Sequence, residues 1–192
     1  DHPASEGDPI DPRSFDAVGK AAATLFCRQL ARETGLRLST LRLYSVYGPW
    51  EEPSRLIPAL ICRGLKGELP PLVDPDISHD FVYIDDVIDA YLLAANNRTT
   101  EPGAIFNVGT GKLMTIRQAV ETARRVLAIA AEPRWSSMPN RSWDSAAHVW
   151  VADSSKIERE LGWQPRHDFE AGFRKTVDWL KRESSVAARY GL

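Results

Sequence analysis

The chain has 192 residues, enough for one domain or one and a half. Its 24 Lys and Arg residues nearly balance its 26 Asp and Glu residues, for a net charge of −2. Because the charge is balanced and no run of basic residues occurs, nucleic acid or a membrane surface is not expected as a partner. Hydrophobic residues make up 43% of the sequence, enough for an ordinary core and too many for a disordered chain, and no stretch approaches the roughly 20 apolar residues of a membrane span.

The opening segment, DHPASEGDPIDP, is polar, rich in proline and begins without a methionine, so we expect it to come from the middle of a protein. The two cysteines, Cys27 and Cys62, lie in apolar helical runs and form no CxxC pair. They are interpreted as small hydrophobic side chains of a core, which fits a reducing cytoplasm. A cytoplasmic location is therefore expected.

The first part of the chain predicts a helix, a strand and a second helix. The first helix runs from about Ser14 to Thr34, is rich in alanine, and ends at Gly35. The segment LRLSTLRLYSVY, residues 36–47, alternates apolar and polar side chains and predicts one strand, which stops at the Gly-Pro turn that follows. SRLIPALICRGLKG predicts a helix that begins near Pro58.

Predicted strands and helices continue to alternate along the chain. HDFVYID, from His79, predicts a strand that leads into the helix of DVIDAYLLAANN, with Asp86 as its N-cap, and GAIFNVG predicts another short strand. Three helices follow: TIRQAVETARRVLA with a capping box from Thr115 and Gln118, SSKIERELG capped by Ser155, and DFEAGFRKTVDWLK. Strands and helices alternate until the mainly helical C-terminal third, a pattern that predicts an α/β fold with a partly parallel sheet.

Two motif interpretations fail on spacing. The segment GTGK, residues 109–112, is not a phosphate-binding loop, because the earlier glycine of that motif is replaced by Phe106. It is not a dinucleotide fingerprint, because the later glycine of that motif is replaced by Met114. We expect GTGK to be a strand-to-helix turn. No pair of the four histidines has the spacing of metal ligands, so no metal site is expected.

Polar side chains lie at the ends of three predicted strands. Ser45 lies near the carboxyl end of one strand, Asn107 lies at the end of another, and His79 and Asp80 begin a third. Ligands of open α/β sheets bind outside the carboxyl ends of the strands. These side chains are therefore candidates for a binding site.

Five segments follow one another along the chain: PRSFDAVGK, RLYSVYGP, HDFVYIDD, FNVG and SKIERELGWQPRHDFEAGF. In order and spacing they resemble the NAD-dependent epimerase/dehydratase family, the extended short-chain dehydrogenases that act on nucleotide sugars. The family's corresponding motifs are P-x-S-x-Y-x-x-x-K, R-x-x-N-x-Y-G-P, R-D-F-V-Y-V-D-D, Y-N-V-G and a final SK…ELGW.P…F..G. The resemblance extends from Glu6 to about Lys181.

The resemblance implies an α/β fold that is the C-terminal half of the family's molecule: the last elements of a Rossmann-type parallel sheet plus a smaller, mainly helical substrate lobe. Residues 1–50 are expected to belong to the dinucleotide-binding domain and residues 51–192 to the nucleotide-sugar lobe, with about 80–110 returning to the sheet. The glycine-rich turn that holds the dinucleotide diphosphate, and a catalytic Ser or Thr, are expected upstream of Asp1.

The first family motif departs from the pattern at its catalytic position. Lys20 matches the Lys that binds the nicotinamide ribose and stabilises the phenolate of the catalytic Tyr, whereas Asp16 replaces that Tyr. The phenolate accepts a proton from a sugar hydroxyl as hydride leaves for NAD, and an aspartate carboxylate is a far weaker base. We expect Asp16 to form an i,i+4 ion pair with Lys20. The alternative is that Asp16 serves as the catalytic base.

The resemblance also implies the positions that bind substrate. Ser45 replaces an Asn that many members hold near the sugar and phosphate, and His79 replaces an Arg that commonly pairs with the diphosphate. Histidine lacks the bidentate fork of arginine. The remaining expected substrate residues are Arg55 and Leu56, which line the substrate, Leu72 near the base, Asn107, and Arg141 and Asp144 in a loop over the nucleotide.

The implied function is that of an NAD(P)-dependent epimerase, dehydratase or reductase that acts on a nucleotide-diphosphate sugar through hydride transfer at the ring. NAD or NADP is expected to be bound mainly by the N-terminal half. The alternative is a catalytically impaired homologue that binds nucleotide sugar or a partner chain without turnover. The expected protein partners are a second copy, in a homodimer through the helix from Ser14 to Thr34, or a separate N-terminal half chain.

Overall fold

The computed structural model of the chain describes residues 2–97, 101–140 and 150–191. The helices are α1 (Phe15–Thr34), α2 (Leu56–Gly64), α3 (Ile84–Asn96), α4 (Ile116–Leu127), α5 (Ser155–Leu161), α6 (Phe169–Arg182) and α7 (Ser184–Ala187), followed by a 3-10 turn at Ala188–Tyr190. The strands are β1 (Ser39–Leu43), β2 (Ser45–Tyr47), β3 (Ser78–His79), β4 (Phe81–Tyr83), β5 (Ala104–Val108) and β6 (Met114–Thr115).

Two parallel strand pairs form the centre of the fold. β1 pairs with β5, with Ser39 opposite Ala104, and β2 pairs with β4, with Ser45 opposite Phe81. β3 and β6 form a short antiparallel pair. Parallel strands that are connected through helices define an α/β protein, so the predicted fold class is confirmed. The predicted division at residue 50 remains a prediction.

The strand predicted over residues 36–47 is in fact two strands, and that prediction was wrong. The chain changes its pairing partner at Tyr44: the Tyr44 backbone N–H donates to the Val108 carbonyl at 3.1 Å, and the Ser45 N–H donates to the Asp80 carbonyl at 2.9 Å. The predicted strand that contains His79 is likewise divided at Asp80. At each break the pairing partner changes, from β5 to β4 at Tyr44 and from β6 to β2 at Asp80.

Helix α1 follows the prediction closely. The Ser14 hydroxyl accepts the Ala17 N–H, and Gly35 ends the helix with φ 71°, a left-handed conformation that favours glycine. The side chains it buries are small, with Thr24 and Ala31 the most buried. Large apolar side chains lie on the remaining surface of α1 and are exposed: Phe15, Val18, Leu25 and Phe26.

Two predicted helix caps were wrong. Tyr83, rather than Asp86, precedes the first residue of α3. Asp86 is fully buried, where its carboxylate accepts the His167 backbone N–H at 3.1 Å and lies 2.8 Å from His167 Nδ1. The cap position of α5 is Ser154, one residue before the predicted Ser155. The predicted capping box of Thr115 at α4 is confirmed.

Apolar side chains pack into two clusters. The larger cluster joins β2, α2, α4 and α6. The smaller surrounds β5, α3 and α5. Trp163 is buried in the smaller cluster, and its indole N–H donates to the Asp86 carbonyl at 2.8 Å. Among the described residues, no helix combines the length and apolar character that crossing a bilayer requires.

Candidate functional site

The carboxyl ends of β1 and β5 meet the amino ends of β2 and β4, and this region is called the carboxyl edge below. The hydrogen bonds from Tyr44 to Val108 and from Ser45 to Asp80 join the ends of β1 and β5 to the start of β2 and the β3–β4 break. Ser45 and His79 therefore lie at neighbouring positions of this edge. His79 packs its ring against Phe81, with ring centroids 5.7 Å apart.

Helix α1 brings Asp16 and Lys20 to the same edge. Only residues 35–38 connect α1 to β1, so the helix runs antiparallel to the strand. Along the helix axis, Lys20 lies about 21 Å from Thr34. Along the strand direction, Tyr44 lies about 17 Å from Ser39. The first turns of α1 thus reach the carboxyl end of β1.

Asp16 and Lys20 form the ion pair that their spacing predicts. Lys20 Nζ lies 3.0 Å from Asp16 Oδ2, and the side chains are 78% and 76% exposed, respectively. The ammonium group of Lys20 is thus engaged by a carboxylate that belongs to its own helix. The ion pair leaves both groups open to solvent at the edge of the sheet.

The side chain of Asp80 stabilises this edge through hydrogen bonds. Its buried carboxylate accepts four hydrogen bonds: Oδ1 from the Thr110 N–H at 2.7 Å and hydroxyl at 2.5 Å, and Oδ2 from the N–H groups of Gly111 at 2.9 Å and Ala152 at 3.1 Å. A Cβ on Gly109 would lie 2.6 Å from Asp80 Oδ2. The GTGK turn therefore encloses a carboxylate of the chain itself, and it joins β5 to the short strand β6 rather than directly to α4 as predicted.

Asn107 holds the opening segment against β5. Its side chain is 1% exposed, its amide donates to the Ala4 carbonyl at 2.8 Å, and its backbone N–H donates to Glu6 Oε1 at 2.7 Å. The amide is thus engaged by the chain itself, and its expected contact with substrate stays a prediction.

Tyr44 faces the same polar region. Burial, and then the negative charges of Asp80 and Glu6, raise the pKa of its phenol to about 12. The ring lies against Trp150, with centroids 6.2 Å apart. At neutral pH this phenol is protonated, so it is a hydrogen-bond donor at the carboxyl edge. Sequence reasoning did not select Tyr44, because an aromatic residue in a strand is ordinarily part of the core.

Arg55 and Leu56 begin α2, after the turn that follows β2. The turn also contains Glu51, whose side chain is 16% exposed and whose Oε1 lies 3.9 Å from Arg55 Nε. Glu51 Oε2 is buried and has no hydrogen-bond partner among the described residues. Burial raises the pKa of Glu51 to about 7, against the opposing effects of Arg55 and the Gly48 backbone. The sequence carries no signal for this burial, because acidic residues in turns usually face solvent.

Leu72 belongs to the larger apolar cluster and is almost fully buried. Its backbone N–H donates to the Ser137 hydroxyl at 3.0 Å, and its carbonyl accepts the Ser137 N–H at 2.9 Å. This contact fixes the segment around Leu72 beside the residues that precede position 141. The expected substrate residues Arg141 and Asp144 lie outside the described ranges.

The model of a protein family described as GDP-mannose 4,6 dehydratase matches residues 1–176. The chain belongs to the NAD-dependent epimerase/dehydratase family. Within this family, dTDP-glucose 4,6-dehydratase of Xanthomonas campestris pv. campestris is 32% identical over 186 residues, which cover 91% of this chain and 51% of that protein. The chain thus spans about half the length of the curated relatives that it matches.

Solved structures of family members share the fold. The dTDP-glucose 4,6-dehydratase of Bacillus anthracis, in complex with NAD, matches with a TM-score of 0.84 and 22% identity, over 96% of this chain and 58% of that chain. The UDP-glucose 4-epimerase of Thermotoga maritima, with UDP-glucose, matches with a TM-score of 0.76 and 27% identity, over 93% of this chain and 60% of that chain. The predicted Rossmann-type architecture is confirmed.

Proposed function

We propose that the chain is the nucleotide-sugar half of an NAD(P)-dependent epimerase, dehydratase or reductase that transfers hydride at the sugar ring. The observation that carries this proposal is the convergence of Ser45, His79 and the first turns of α1 at the carboxyl ends of β1 and β5. Ligands of open α/β sheets bind at such carboxyl ends. The epimerase from Thermotoga maritima, of the same fold, was solved with UDP-glucose.

The side chains of this edge suit a diphosphate sugar. The Ser45 hydroxyl and the His79 imidazole supply short hydrogen-bonding groups near the strand ends, and Arg55 supplies a guanidinium group that is half exposed. Phosphate oxygens favour cations and N–H donors. In this proposal Ser45 and His79 orient the sugar and its phosphates, and Arg55 neutralises phosphate charge.

Among the residues that the structure describes, Lys20 fits the nicotinamide end of the cofactor. Lys20, exposed at the carboxyl edge, has the reach and charge to bind ribose hydroxyls. The GTGK turn is filled by Asp80, so within the described ranges it offers no cradle to a diphosphate. NAD(P) supplies the hydride acceptor when bound, and its diphosphate belongs in this proposal to the N-terminal half that longer relatives contain.

The proposal is tested by calorimetric titration with UDP-glucose of the wild-type chain and of Ser45→Ala and His79→Ala. Binding at a single site is expected, and we expect each variant to lose about tenfold or more in affinity, since each removes one hydrogen bond to a charged group. The matched controls are Ser185→Ala and His2→Ala, which remove exposed side chains elsewhere and are expected to bind as wild type. Equal affinity in all five proteins would place the ligand away from this edge and refute the proposal.

A second candidate function, a catalytically impaired homologue that binds nucleotide sugar without turnover, is favoured by one observation. The carboxylate of Asp16 pairs with Lys20 at 3.0 Å, at the position where the family has its phenol. A carboxylate is a far weaker base than the phenolate of that position, so it has little tendency to take a proton from a sugar hydroxyl. Such a chain would bind substrate and leave it unchanged.

The exposed apolar surface of α1 supports the proposed homodimer. Phe15 is 99% exposed and Phe26 is 68% exposed, while the buried residues of α1 are small. An exposed stripe of large apolar side chains on one helix is typical of a protein interface. Two copies of α1 packed against each other would cover these side chains.

An unpaired side of strand β1 supports the proposed N-terminal half, as a separate chain or as an upstream segment. Among the described residues, β1 pairs with β5 alone. Beside β1, helix α3 exposes Ile88, Tyr91 and Leu92, at i, i+3 and i+4. A further parallel strand with its helix would pair with β1 and cover this stripe. Unpaired strand edges favour association, so the chain alone is expected to aggregate more readily than with this unit added.

A further inference from the structure

The turn between β2 and α2 is closed by the C-terminal end of the described chain. The Tyr190 hydroxyl donates to the Glu51 carbonyl at 2.5 Å, and Lys66 Nζ donates to the Gly191 carbonyl at 2.7 Å. Within the turn, Trp50 has φ 70°, a left-handed conformation that is uncommon for a large side chain. The Tyr190 contact fixes the backbone of the turn at Glu51, whose side chain lies near that of Arg55.

Besides the Gly48 backbone, which favours its ionised form, the Glu51 carboxyl group has few of the partners that a buried charge requires. Oε2 has no hydrogen-bond partner within the described ranges, and Arg55 Nε, 3.9 Å from Oε1, is beyond hydrogen-bond distance. Arg55 is half exposed, so its guanidinium can turn toward either the carboxylate or solvent. Arg55 is the charged side chain that acts on the Glu51 carboxyl, and the Gly48 backbone also favours its ionised form. The titratable groups that act on Tyr190, which closes the turn, are Arg189, Glu51, Cys62 and Glu52.

We propose that Glu51 is a positioning residue that makes the affinity of the α2 entrance for a diphosphate depend on pH, through its control of Arg55. The proposal rests on the proposed function, in which Arg55 meets the phosphates of a nucleotide sugar. With Glu51 neutral, Arg55 is available to the diphosphate. With Glu51 ionised, the carboxylate competes for the guanidinium and repels the anion.

The direction of the effect follows from the pKa of Glu51, which burial raises to about 7. Below that pH the carboxyl is protonated, and above it the group is ionised. Affinity for a diphosphate sugar therefore falls as pH rises through neutrality. Two unit charges about 6 Å apart, screened as in water, change the affinity by about threefold, and lower effective dielectric constants enlarge the change.

The test is titration with UDP-glucose at pH 6 and pH 8.5, since the charge of its diphosphate diester is constant over this range. Wild-type affinity is expected to fall at least about threefold at the higher pH. Glu51→Gln is expected to bind near the wild-type affinity at pH 6 and, since other titrating groups affect both proteins alike, to lose at least about threefold less affinity than wild type at pH 8.5. The matched control is Glu52→Gln, an exposed neighbour, which should retain the wild-type pH dependence. Binding of equal strength at both pH values in wild type, or the same loss in Glu51→Gln, overturns the proposal.

A second readout separates this inference from the proposed function. In the free chain, the side-chain Nε–H resonance of Arg55 is expected to shift with a midpoint near pH 7 in wild type and Glu52→Gln, and to stay constant in Glu51→Gln. Absence of the shift in wild type overturns the control of Arg55 by Glu51, whatever UDP-glucose does. If the shift is present but no protein binds UDP-glucose at either pH, the proposed function fails and this regulation of it is refuted, while the pairing of the two side chains stands.

Discussion

Replacing Glu51 by Gln removes a buried carboxyl group whose ionisation opposes folding. The pKa of Glu51 rises from 4.5 to about 7 in the folded chain, chiefly because the group is buried. Since the folded state binds the proton more tightly than the unfolded state, this group makes the free energy of unfolding decrease as pH rises from about 4.5 to about 7. The decrease amounts to about 3 kcal/mol, at about 1.4 kcal/mol for each unit of pKa.

The assay is urea unfolding of wild type and Glu51→Gln at a series of pH values between 5 and 8.5. Other titrating groups affect both proteins alike, so the difference between their free energies of unfolding isolates Glu51. That difference is expected to change by about 2.5 kcal/mol between pH 5 and pH 8, in favour of the variant at the higher pH. Glu52→Gln, an exposed control, is expected to run parallel to wild type. Parallel curves for Glu51→Gln and wild type would refute the reasoning.

Three further substitutions test other parts of the account. Asp80→Asn places an amide N–H₂ among four hydrogen-bond donors. It is expected to lower the free energy of unfolding, measured with urea, by about 3 kcal/mol. A decrease below about 1 kcal/mol would argue against Asp80 as a residue that stabilises the site. Asp16→Tyr, in a protein that includes the N-terminal half, is expected to raise turnover of a nucleotide sugar by restoring a phenol beside Lys20; no gain contradicts the impaired-homologue candidate. Phe26→Glu is expected to convert a dimer to a monomer in sedimentation, and an unchanged mass would exclude α1 as the interface.

The elements that the sequence predicts well are those with local signals. Helix α1 carries its own Ser14 cap and Gly35 stop, and α4 carries its capping box, so spacing within a few residues suffices. The breaks at Tyr44 and Asp80 were not predictable in this way. They arise where one strand leaves its partner for another, and those partners lie far away in sequence.

The same difference applies to the candidate site: local patterns predict some of its residues, and contacts between distant segments determine others. Ser45 and His79 could be selected from strand ends, and the ion pair of Asp16 with Lys20 from helical spacing. The burial of Glu51 could not, because Tyr190, which closes its turn, lies 139 residues further along the chain. The pairing of Asp86 with His167 likewise replaces a local cap by a contact between distant segments.

The central claim is that this chain binds the nucleotide sugar whereas the coenzyme is held mainly by residues outside it. The most direct measurement is a pair of calorimetric titrations of the wild-type chain at pH 6, one with UDP-glucose and one with NAD. The account predicts saturable binding of UDP-glucose at one site and no saturable binding of NAD at the same concentrations. Saturable binding of NAD without binding of UDP-glucose would contradict it.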